Sequence, residues 1–404
     1  MKYDFETLIK RNNVGAYKWE AMKKIVPDVP DDIVPLSVAD MEFKNAPEIM
    51  EGLKEYLDTS ILGYTGPTAA YFNAVIGFME RNHGFSPKKE WFLEFAGIVP
   101  ALRQIIGALS KPGDGILIQT PVYHQFRNVI EFNQCVVVEN QLIEKDGKYE
   151  IDFDDFEKKA AREDVKLFIL CSPHNPVGRV WTEEELTKMA EICMKHNVYI
   201  LDDEIHFDLI MPGYKHLSML AMDEKYWDNC LVCTSPGKTF NLAGLQASNI
   251  FVPSAEVRET IQKHRGGGGL NALSYKAVEF AYDRSEGWMK EMVAYVNENK
   301  NFVCDFLAER LPMITASEME GTYLLWVDFR KLGLPMEERE KMLREKAYLF
   351  GDGGHIFGSG GEGFERINLA CPRWVLKATM ESPSSARNAL RASTSNSSGL
   401  HFLF

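Results

Sequence analysis

The chain has 404 residues, 45% of them hydrophobic, which is enough to build one large or two medium-sized domains. Its 58 acidic residues outnumber 45 basic ones, and the formal net charge of −13 argues against nucleic-acid or anionic-membrane partners. No apolar run approaches the roughly 20 residues that cross a bilayer, and the first residues do not resemble a signal peptide. We therefore expect a cytoplasmic protein.

The seven cysteines are scattered through the chain, and most lie in apolar runs, which predicts buried free thiols. Cys230 and Cys233 have the C-x-x-C spacing. They fall within a predicted strand, however, where side chains three positions apart point to opposite faces. We expect neither a metal site nor a redox pair there.

The first part of the chain shows few regular patterns. Residues 1–45 lead through prolines into Leu36–Met41, which we interpret as an arm or entry strand. A helix is predicted from Ala46-Pro47 to Tyr56, because proline is tolerated in a first helical turn. The loop Gly63-Tyr64-Thr65-Gly66-Pro67 separates it from an amphipathic helix over Ala69–Asn82.

Between residues 91 and 251, short apolar runs alternate with longer periodic segments. The predicted strands are Phe92–Phe95, Gly115–Gln119, Val136–Glu139, Leu167–Cys171, Val198–Asp202, Leu231–Thr234 and Asn249–Val252. The predicted helices are Pro100–Ala108, Tyr123–Asn133, Phe153–Ala161 and Glu183–His196, the last with a capping box at Thr182–Glu185. This alternation predicts a mostly parallel sheet covered by helices, with ligands at the carboxyl ends of its strands.

The remainder of the chain is predicted to add helices and then a smaller α+β unit. The helices are Pro253–His264, Ser274–Tyr282 and Trp288–Arg310, with the glycine run Gly266–Gly269 between the first two; the smaller unit contains Thr322–Phe329, Lys341–Leu349 and Phe364–Leu369. We predict a large domain over residues 46–285 and a small domain from residues 1–45 and 286–382. Residues 383–404 are serine-rich without helical periodicity, which predicts a disordered tail.

Polar groups follow the predicted strands at four places. Asn175 lies in the turn-rich S-P-H-N-P-V-G, Asp203 lies in D-D-E-I-H, and Lys238 lies in S-P-G-K-T-F-N. Gly97-Ile98-Val99 stands where a helix begins, and free N–H groups at a helix start can hold a phosphate. A phosphate cradle, an amide, a carboxylate and a lysine together are what pyridoxal 5′-phosphate (PLP) requires.

The motifs H-N-P-V-G, D-E-I-H, S-P-G-K-T-F-N-L-A-G-L-Q and R-I-N-L-A-C-P-R resemble those of the class I/II aminotransferase superfamily over residues 30–380. Their combination is similar to the MalY/PatB branch, the cystathionine β-lyase-like C–S lyases. The resemblance implies the α/β fold of fold-type I PLP enzymes, with a large domain and a smaller α+β domain. It also implies PLP as cofactor, an amino-acid substrate and a homodimer.

The resemblance implies a role for each site residue. Lys238 would bind the cofactor as a Schiff base and act as acid and base at the substrate Cα, while Asp203 pairs with the pyridine N–H. Asn175 would donate to the ring hydroxyl oxygen and contact the substrate. The remaining implied roles are Tyr123 stacked on the cofactor ring, Gly97, Ile98, Val99 and Ser235 at the phosphate, His206 at the cofactor, Tyr64 reaching in from the other subunit, and Arg366 clamping the substrate carboxylate.

Each of these residues also has a purely structural interpretation. Asp203 alone could be a helix cap, Asn175 a turn residue and Tyr123 part of the core. Arg366 could belong to a surface ion pair, and for His206 both interpretations stay open. The occurrence of all these residues together with Lys238 favours the site.

Two features depart from the aminotransferase pattern, and a third matches the motif of a different kind of site. Gln246 stands eight residues after Lys238, where many aminotransferases have a phosphate-binding arginine. The expected C-terminal amphipathic helix is not found in Pro383–Phe404. Gly358–Gly363 matches G-x-G-x-x-G, but it precedes a predicted strand rather than a helix, which argues against a dinucleotide site.

The sequence thus predicts a PLP-dependent β-lyase that cleaves L-cystathionine or related L-cysteine S-conjugates to a thiol, pyruvate and ammonia. An aminotransferase acting on an L-amino acid and a 2-oxo acid is the first alternative, since it uses the same lysine, aspartate and arginine. A regulatory protein that retains the PLP fold is the second.

Overall fold

The computed structural model describes residues 1–265 and 269–381. Most of the predicted glycine run, residues 266–268, and the predicted disordered tail, 383–404, lie outside the described residues. The helices are α1 (Tyr17–Ile25), α2 (Pro47–Thr59), α3 (Ala69–His83), α4 (Ile98–Leu109), α5 (Gln125–Phe132), α6 (Phe153–Ala160), α7 (Glu183–Lys195), α8 (Pro236–Thr239), α9 (Ala255–His264), α10 (Ala272–Arg284), α11 (Glu286–Arg310), α12 (Met336–Lys341) and α13 (Arg373–Glu381).

The strands form two larger sheets and one hairpin. They are β1 (Phe92–Phe95), β2 (Gly115–Thr120), β3 (Val136–Gln141), β4 (Ile143–Lys145), β5 (Lys148–Glu150), β6 (Val165–Cys171), β7 (Tyr199–Asp203), β8 (Cys230–Thr234), β9 (Ser248–Phe251), β10 (Thr315–Ala316), β11 (Leu324–Asp328), β12 (Asp352–Gly353) and β13 (Phe364–Asn368). The large sheet has the order β1-β9-β8-β7-β6-β2-β3, and β4 pairs with β5.

The large sheet is mostly parallel, as predicted. Strand β9 runs antiparallel to both of its neighbours, and the other pairs are parallel. Side chains alternate between two hydrophobic cores on the two faces: Ile116 and Ile118 of β2 lie in one core, and Leu117 lies in the other. Cys230 and Cys233 are divided in the same way, and all seven cysteines are free.

Local signals in the sequence explain several helix starts. Thr182 and Glu185 form the predicted capping box at the start of α7. Helix α4 begins two residues earlier than predicted, so Pro100 is its third residue rather than its first. That position tolerates proline, because the N–H groups of the first turn have no acceptor within the helix.

The second sheet is antiparallel in the order β10-β11-β13-β12. The N-terminal arm runs beside it: the Leu36 N–H donates to Phe350 O at 2.9 Å, and the Asn368 N–H donates to Leu36 O at 2.8 Å. Such contacts agree with an arm that packs with the C-terminal part of the chain. The division at residues 45 and 285 stays a prediction.

Some local structure differs from the expectations. The arm contains helix α1, whose Lys18 is buried and ion-paired with Asp40 and Glu42. The segment Lys341–Leu349 of the smaller unit consists of the end of α12 followed by a π-helical turn, Met342–Lys346. Within residues 1–265 and 269–381, no helix is long and apolar enough to cross a membrane, and no cluster of His, Cys, Asp and Glu could hold a metal ion.

Candidate active site

Neighbouring strands of the large sheet bring the predicted site residues to one edge. Strands β8, β7, β6 and β2 lie side by side and run parallel, so their carboxyl ends meet. Lys238 follows β8, Asp203 ends β7, Asn175 follows β6 and Tyr123 follows β2. These four residues, which span more than a hundred positions of the sequence, therefore lie at the same edge of the sheet.

Lys238 lies in the one-turn helix α8, not in a loop. The Ser235 hydroxyl caps this turn by accepting from the Gly237 N–H at 2.9 Å. The Lys238 Nζ donates to the carbonyl oxygen of Ala39 at 2.7 Å. Loss of water around Nζ, together with the nearby Arg366, lowers the pKa of Lys238 to about 8. Its neutral amine, the form that acts as a base or nucleophile, is thus far more accessible near neutral pH than in an ordinary lysine.

Asp203 is a buried carboxylate at the end of β7. Its Oδ1 accepts from the Ile205 N–H at 3.2 Å. Burial raises its pKa to about 7, although the charge of Lys238 acts in the opposite direction. A carboxylate in such surroundings is stabilised by any cationic N–H that binds beside it.

Asn175 and Arg366 contact each other although 191 positions separate them. The Arg366 Nη1 donates to Asn175 Oδ1 at 2.8 Å, so the NH2 group of Asn175 is the polar group left for a ligand. Arg366 also forms an ion pair with Asp352, at 2.7 Å between Nη2 and Oδ2, and its guanidinium lies 4.8 Å from the centre of the Phe357 ring. The arginine is buried and held on several sides.

Tyr123 and His124 follow β2 on the same edge. The Tyr123 N–H donates to Asn175 O at 3.0 Å, and burial raises the pKa of the phenol to about 12. The His124 ring lies 5.1 Å from the Tyr123 ring and 6.3 Å from the Phe357 ring. Burial and the charge of Arg366 lower the pKa of His124, so the imidazole is neutral at pH 7.

The backbone before α4 has the form of an anion cradle. Gly97 caps the helix with φ 105°, a conformation that favours glycine, and the first N–H groups of the helix follow at Ile98 and Val99. In this structure the Ser235 hydroxyl donates to Ala247 O at 2.6 Å. A phosphate contact from Ser235 therefore requires this hydroxyl to rotate, and it stays a prediction.

His206 and Tyr323 are two buried rings close to Lys238. Their rings meet edge to face at 6.0 Å, and burial lowers the pKa of His206 well below its ordinary value. The Tyr323 hydroxyl donates to Ala39 O at 2.9 Å, the same oxygen that accepts from Lys238. Tyr323 was missed in the sequence because no motif marks it.

Tyr64 and Gln246 are both exposed in this chain. Tyr64 is fully exposed, at 113%, in the loop between α2 and α3. Gln246 precedes Ala247, which accepts from the Ser235 hydroxyl, and it has a left-handed φ of 51°.

The residues present fit PLP. A lysine of lowered pKa and a buried carboxylate of raised pKa follow the adjacent strands β8 and β7, and a helix N-terminus follows β1 of the same sheet. The carboxylate matches a protonated ring nitrogen, the lysine matches an aldehyde, and the backbone N–H groups of α4 match a phosphate.

Comparison with known proteins decides the family. Residues 31–380 match the model of aminotransferase class I and II. The chain belongs to this family. It is 38% identical over 372 residues to cystathionine beta-lyase PatB of Bacillus subtilis, an alignment that covers 91% of this chain and 95% of that protein.

Solved structures of relatives have the same fold. Cystalysin from Treponema denticola, which contains a PLP cofactor, superposes with a TM-score of 0.94 at 44% identity, over 97% of this chain and 100% of that one. The PLP-bound C–S lyase from Staphylococcus hominis has a TM-score of 0.88 at 33% identity, over 96% and 98% of the two chains. The fold and family predicted from the motifs are confirmed.

Proposed function

We propose that this protein is a PLP-dependent C–S β-lyase that cleaves L-cystathionine or a related L-cysteine S-conjugate. The observation that carries the proposal is that Lys238 and Asp203, at one edge of the large sheet, lie close to Arg366 of the small sheet, which contacts Asn175 at the same edge. The similarity to PatB, named a cystathionine beta-lyase, supports the C–S bond as the target. The proposal has two levels: the reaction is cleavage of a C–S bond, and the thiol that leaves is homocysteine or a related thiol.

The cofactor is PLP, as predicted. When bound, it supplies an electron-withdrawing ring that stabilises negative charge at the substrate Cα. Lys238 is the residue that would hold it covalently, and Asp203 would keep its ring nitrogen protonated. Asn175, Tyr123, His206, Gly97, Ile98, Val99 and Ser235 are the residues that we propose contact it.

Lys238 is the proposed proton carrier of the reaction. With a pKa of about 8, its amine can take the Cα proton near neutral pH and then give it to the departing sulfur. The carbonyl oxygen of Ala39, 2.7 Å from Nζ, orients this amine. Loss of the proton allows the Cβ–S bond to break, with the electron pair leaving on sulfur.

Arg366 is the proposed clamp for the substrate carboxylate. A planar guanidinium binds a carboxylate through two parallel N–H bonds, which fixes the Cα–H bond relative to Lys238. The NH2 group of Asn175 lies beside it as a further donor. The three-carbon fragment left after thiol release gains water and ends as pyruvate and ammonia.

We also propose a homodimer in which Tyr64 of each chain completes the site of the other. The loop of Tyr64 is exposed in one chain, and Ile61 and Leu62 beside it are 92% and 60% exposed. Exposed apolar side chains in one loop are typical of a protein interface. The cytoplasm stays the predicted compartment.

The experiment that tests this function measures pyruvate from L-cystathionine without any 2-oxo acid acceptor. We expect wild-type protein to release pyruvate and thiol in equal amounts, and Lys238→Ala to lose at least about a thousandfold in kcat. Lys263→Ala, an exposed lysine on α9, is the matched control and should keep full activity. Amino transfer to an added 2-oxo acid without pyruvate from cystathionine would instead identify an aminotransferase.

A further inference from the structure

Arg366 has a carboxylate partner that no sequence motif singled out. Asp352 of β12 lies directly opposite Arg366 of β13 in the antiparallel register. Its Oδ2 accepts from Arg366 Nε at 3.2 Å and from Nη2 at 2.7 Å. Both side chains are largely buried, with 4% of the arginine and 15% of the aspartate exposed. Water therefore competes little with this pair.

The same oxygen holds a second group. The Val38 N–H donates to Asp352 Oδ2 at 3.0 Å. Val38 has a φ of 57°, a left-handed conformation that is strained for a β-branched residue and persists only where the surroundings hold it. The Asn368 Nδ2 holds the other side of this segment, by donating to Val38 O at 2.8 Å and to Asp40 O at 2.7 Å.

The segment held in this way carries the carbonyl group that faces the lysine. Ala39 follows Val38, and its oxygen accepts from Lys238 Nζ at 2.7 Å and from the Tyr323 hydroxyl at 2.9 Å. Asp352 thus connects two parts of the site that lie far apart in sequence. It binds Arg366, the proposed binding group for the substrate carboxylate. It also binds Val38, which precedes the Ala39 carbonyl that accepts from Lys238.

The hydrogen bonds of Arg366 leave a defined opening for a ligand. Of its five N–H groups, those bonded to Asp352 and Asn175 account for three. One N–H on each terminal nitrogen is left, and two such groups can donate to the two oxygens of a carboxylate. Asp352 neutralises the arginine on its Nε side without occupying this pair.

We propose that Asp352 is a positioning residue for the reaction: it orients Arg366 for the substrate carboxylate and, through Val38, places the Ala39 carbonyl that orients Lys238. This inference rests on the proposed function. It excludes the opposite arrangement, in which Asp352 blocks Arg366 and must leave when the substrate binds.

Two variants separate the charge of Asp352 from its hydrogen bonds. Asp352→Asn removes the charge and keeps an oxygen that can accept from the Val38 N–H and from Arg366. Asp352→Ala removes the charge and the oxygen. The control is Asp328→Asn, which breaks an Asp–Arg pair of the same small sheet, with Arg330, at the end of β11 opposite Phe364.

The first measurement is ligand binding to the PLP-loaded protein, monitored through the absorption of the bound cofactor. The probes are L-alanine and ethylamine, which is L-alanine without its carboxylate. For Asp352→Asn we expect the Kd of L-alanine to rise by about tenfold or more, because misplacement of a binding group has effects of this order. The Kd of ethylamine should not change. Tighter or equal binding of L-alanine would overturn the proposal, because Asp352 would then compete with the ligand.

The second measurement is the split between KM and kcat for L-cystathionine. Asp352→Asn should raise KM mainly, whereas Asp352→Ala should also lower kcat, because the Ala39 carbonyl loses its support. Equal kcat values in the two variants would overturn the part of the proposal that involves Val38. If Asp352→Ala does not fold, thermal unfolding shows it, and the Asn variant and its L-alanine binding decide the first part.

Different results would contradict the proposed lyase function and the proposed role of Asp352. Wild-type protein that binds L-alanine but releases no pyruvate from L-cystathionine contradicts the lyase assignment, and the L-alanine affinities of the variants still report on Asp352. Wild-type protein that binds neither PLP nor L-alanine contradicts both.

Discussion

Burial disfavours the charged forms of both Lys238 and Asp203. Burial lowers the pKa of the lysine to about 8 and raises that of the aspartate to about 7, so both values lie close to neutral pH. Groups that must exchange protons in a reaction need such values. The protein destabilises itself locally at these two positions, and this cost can be measured.

We predict that Lys238→Met stabilises the cofactor-free protein at pH 7. The folded lysine has a pKa of about 8 against an ordinary value of 10.5, so below pH 8 the full penalty of burying its charge applies. Between these values only the unfolded chain keeps the proton, and the penalty disappears as the pH rises. After allowance for partial solvent access, the gain is about 2 kcal/mol at pH 7.

Denaturant unfolding of the two cofactor-free proteins from pH 6.5 to 10.5 measures this difference. The gain of the variant should shrink above pH 8 and vanish near the upper end. Lys263→Met, on exposed α9, controls for the loss of a surface charge. A gain that stays constant over the whole range would contradict the assigned cause.

At the scale of elements, strand ends and helix starts position the site. Four adjacent parallel strands deliver one site residue each, and the first turn of α4 delivers the backbone N–H groups. The loop after β6 leads through Asn175 to Thr182 and α7, which covers the sheet. Some of these elements begin at a short signal in the sequence, such as the capping box of α7.

The capping box of α7 allows a direct test of one such signal. Thr182→Ala removes the acceptor of the Glu185 N–H and should destabilise the start of α7 by about 1 kcal/mol. Amide hydrogen exchange in the first turn of α7 measures this opening. Ser254 occupies the same position before α9 without a side-chain cap bond, so Ser254→Ala should change exchange there very little. Equal effects of the two substitutions would contradict the assigned role of the cap.

At the scale of the whole molecule, the exposed loop of Tyr64 is the feature that a single chain does not explain. Tyr64, Ile61 and Leu62 are exposed together on one loop. An interface between two copies related by a two-fold axis would bury the same loop on both chains. The proposed homodimer accounts for this exposure.

We predict that two inactive variants restore activity when mixed. A dimer of Lys238→Ala with Tyr64→Ala contains one site in which both residues are native. After subunit exchange at equal amounts, about a quarter of the wild-type activity should return, because half of the dimers are mixed and each has one intact site. Light scattering establishes the oligomeric state. The absence of recovery in mixed dimers would show that Tyr64 does not act across the interface.

Much of this protein could be read from short stretches of its sequence. Apolar runs gave the strands of the large sheet to within about two residues, the usual uncertainty of such boundaries. The motifs around Asn175, Asp203, Lys238 and Arg366 led to the family, and the structure brings these residues together. They were accessible because each lies within a few residues of a strand, and both the strand and the motif are local signals.

Tertiary structure alone decided the contacts between distant segments. Lys238 bonds to a carbonyl 199 positions away, and Arg366 bonds to an amide 191 positions away. Asp352, Val38 and Tyr323 lie close to Arg366 or to the carbonyl partner of Lys238 only because the arm and the small sheet pack against the large one. Local periodicity specifies which face of an element is apolar, whereas the partner of a polar group depends on how whole elements pack. The sequence by itself therefore determined the family, the order of the elements and which residues we propose for the site. Only the packed structure decided which groups hold them in place.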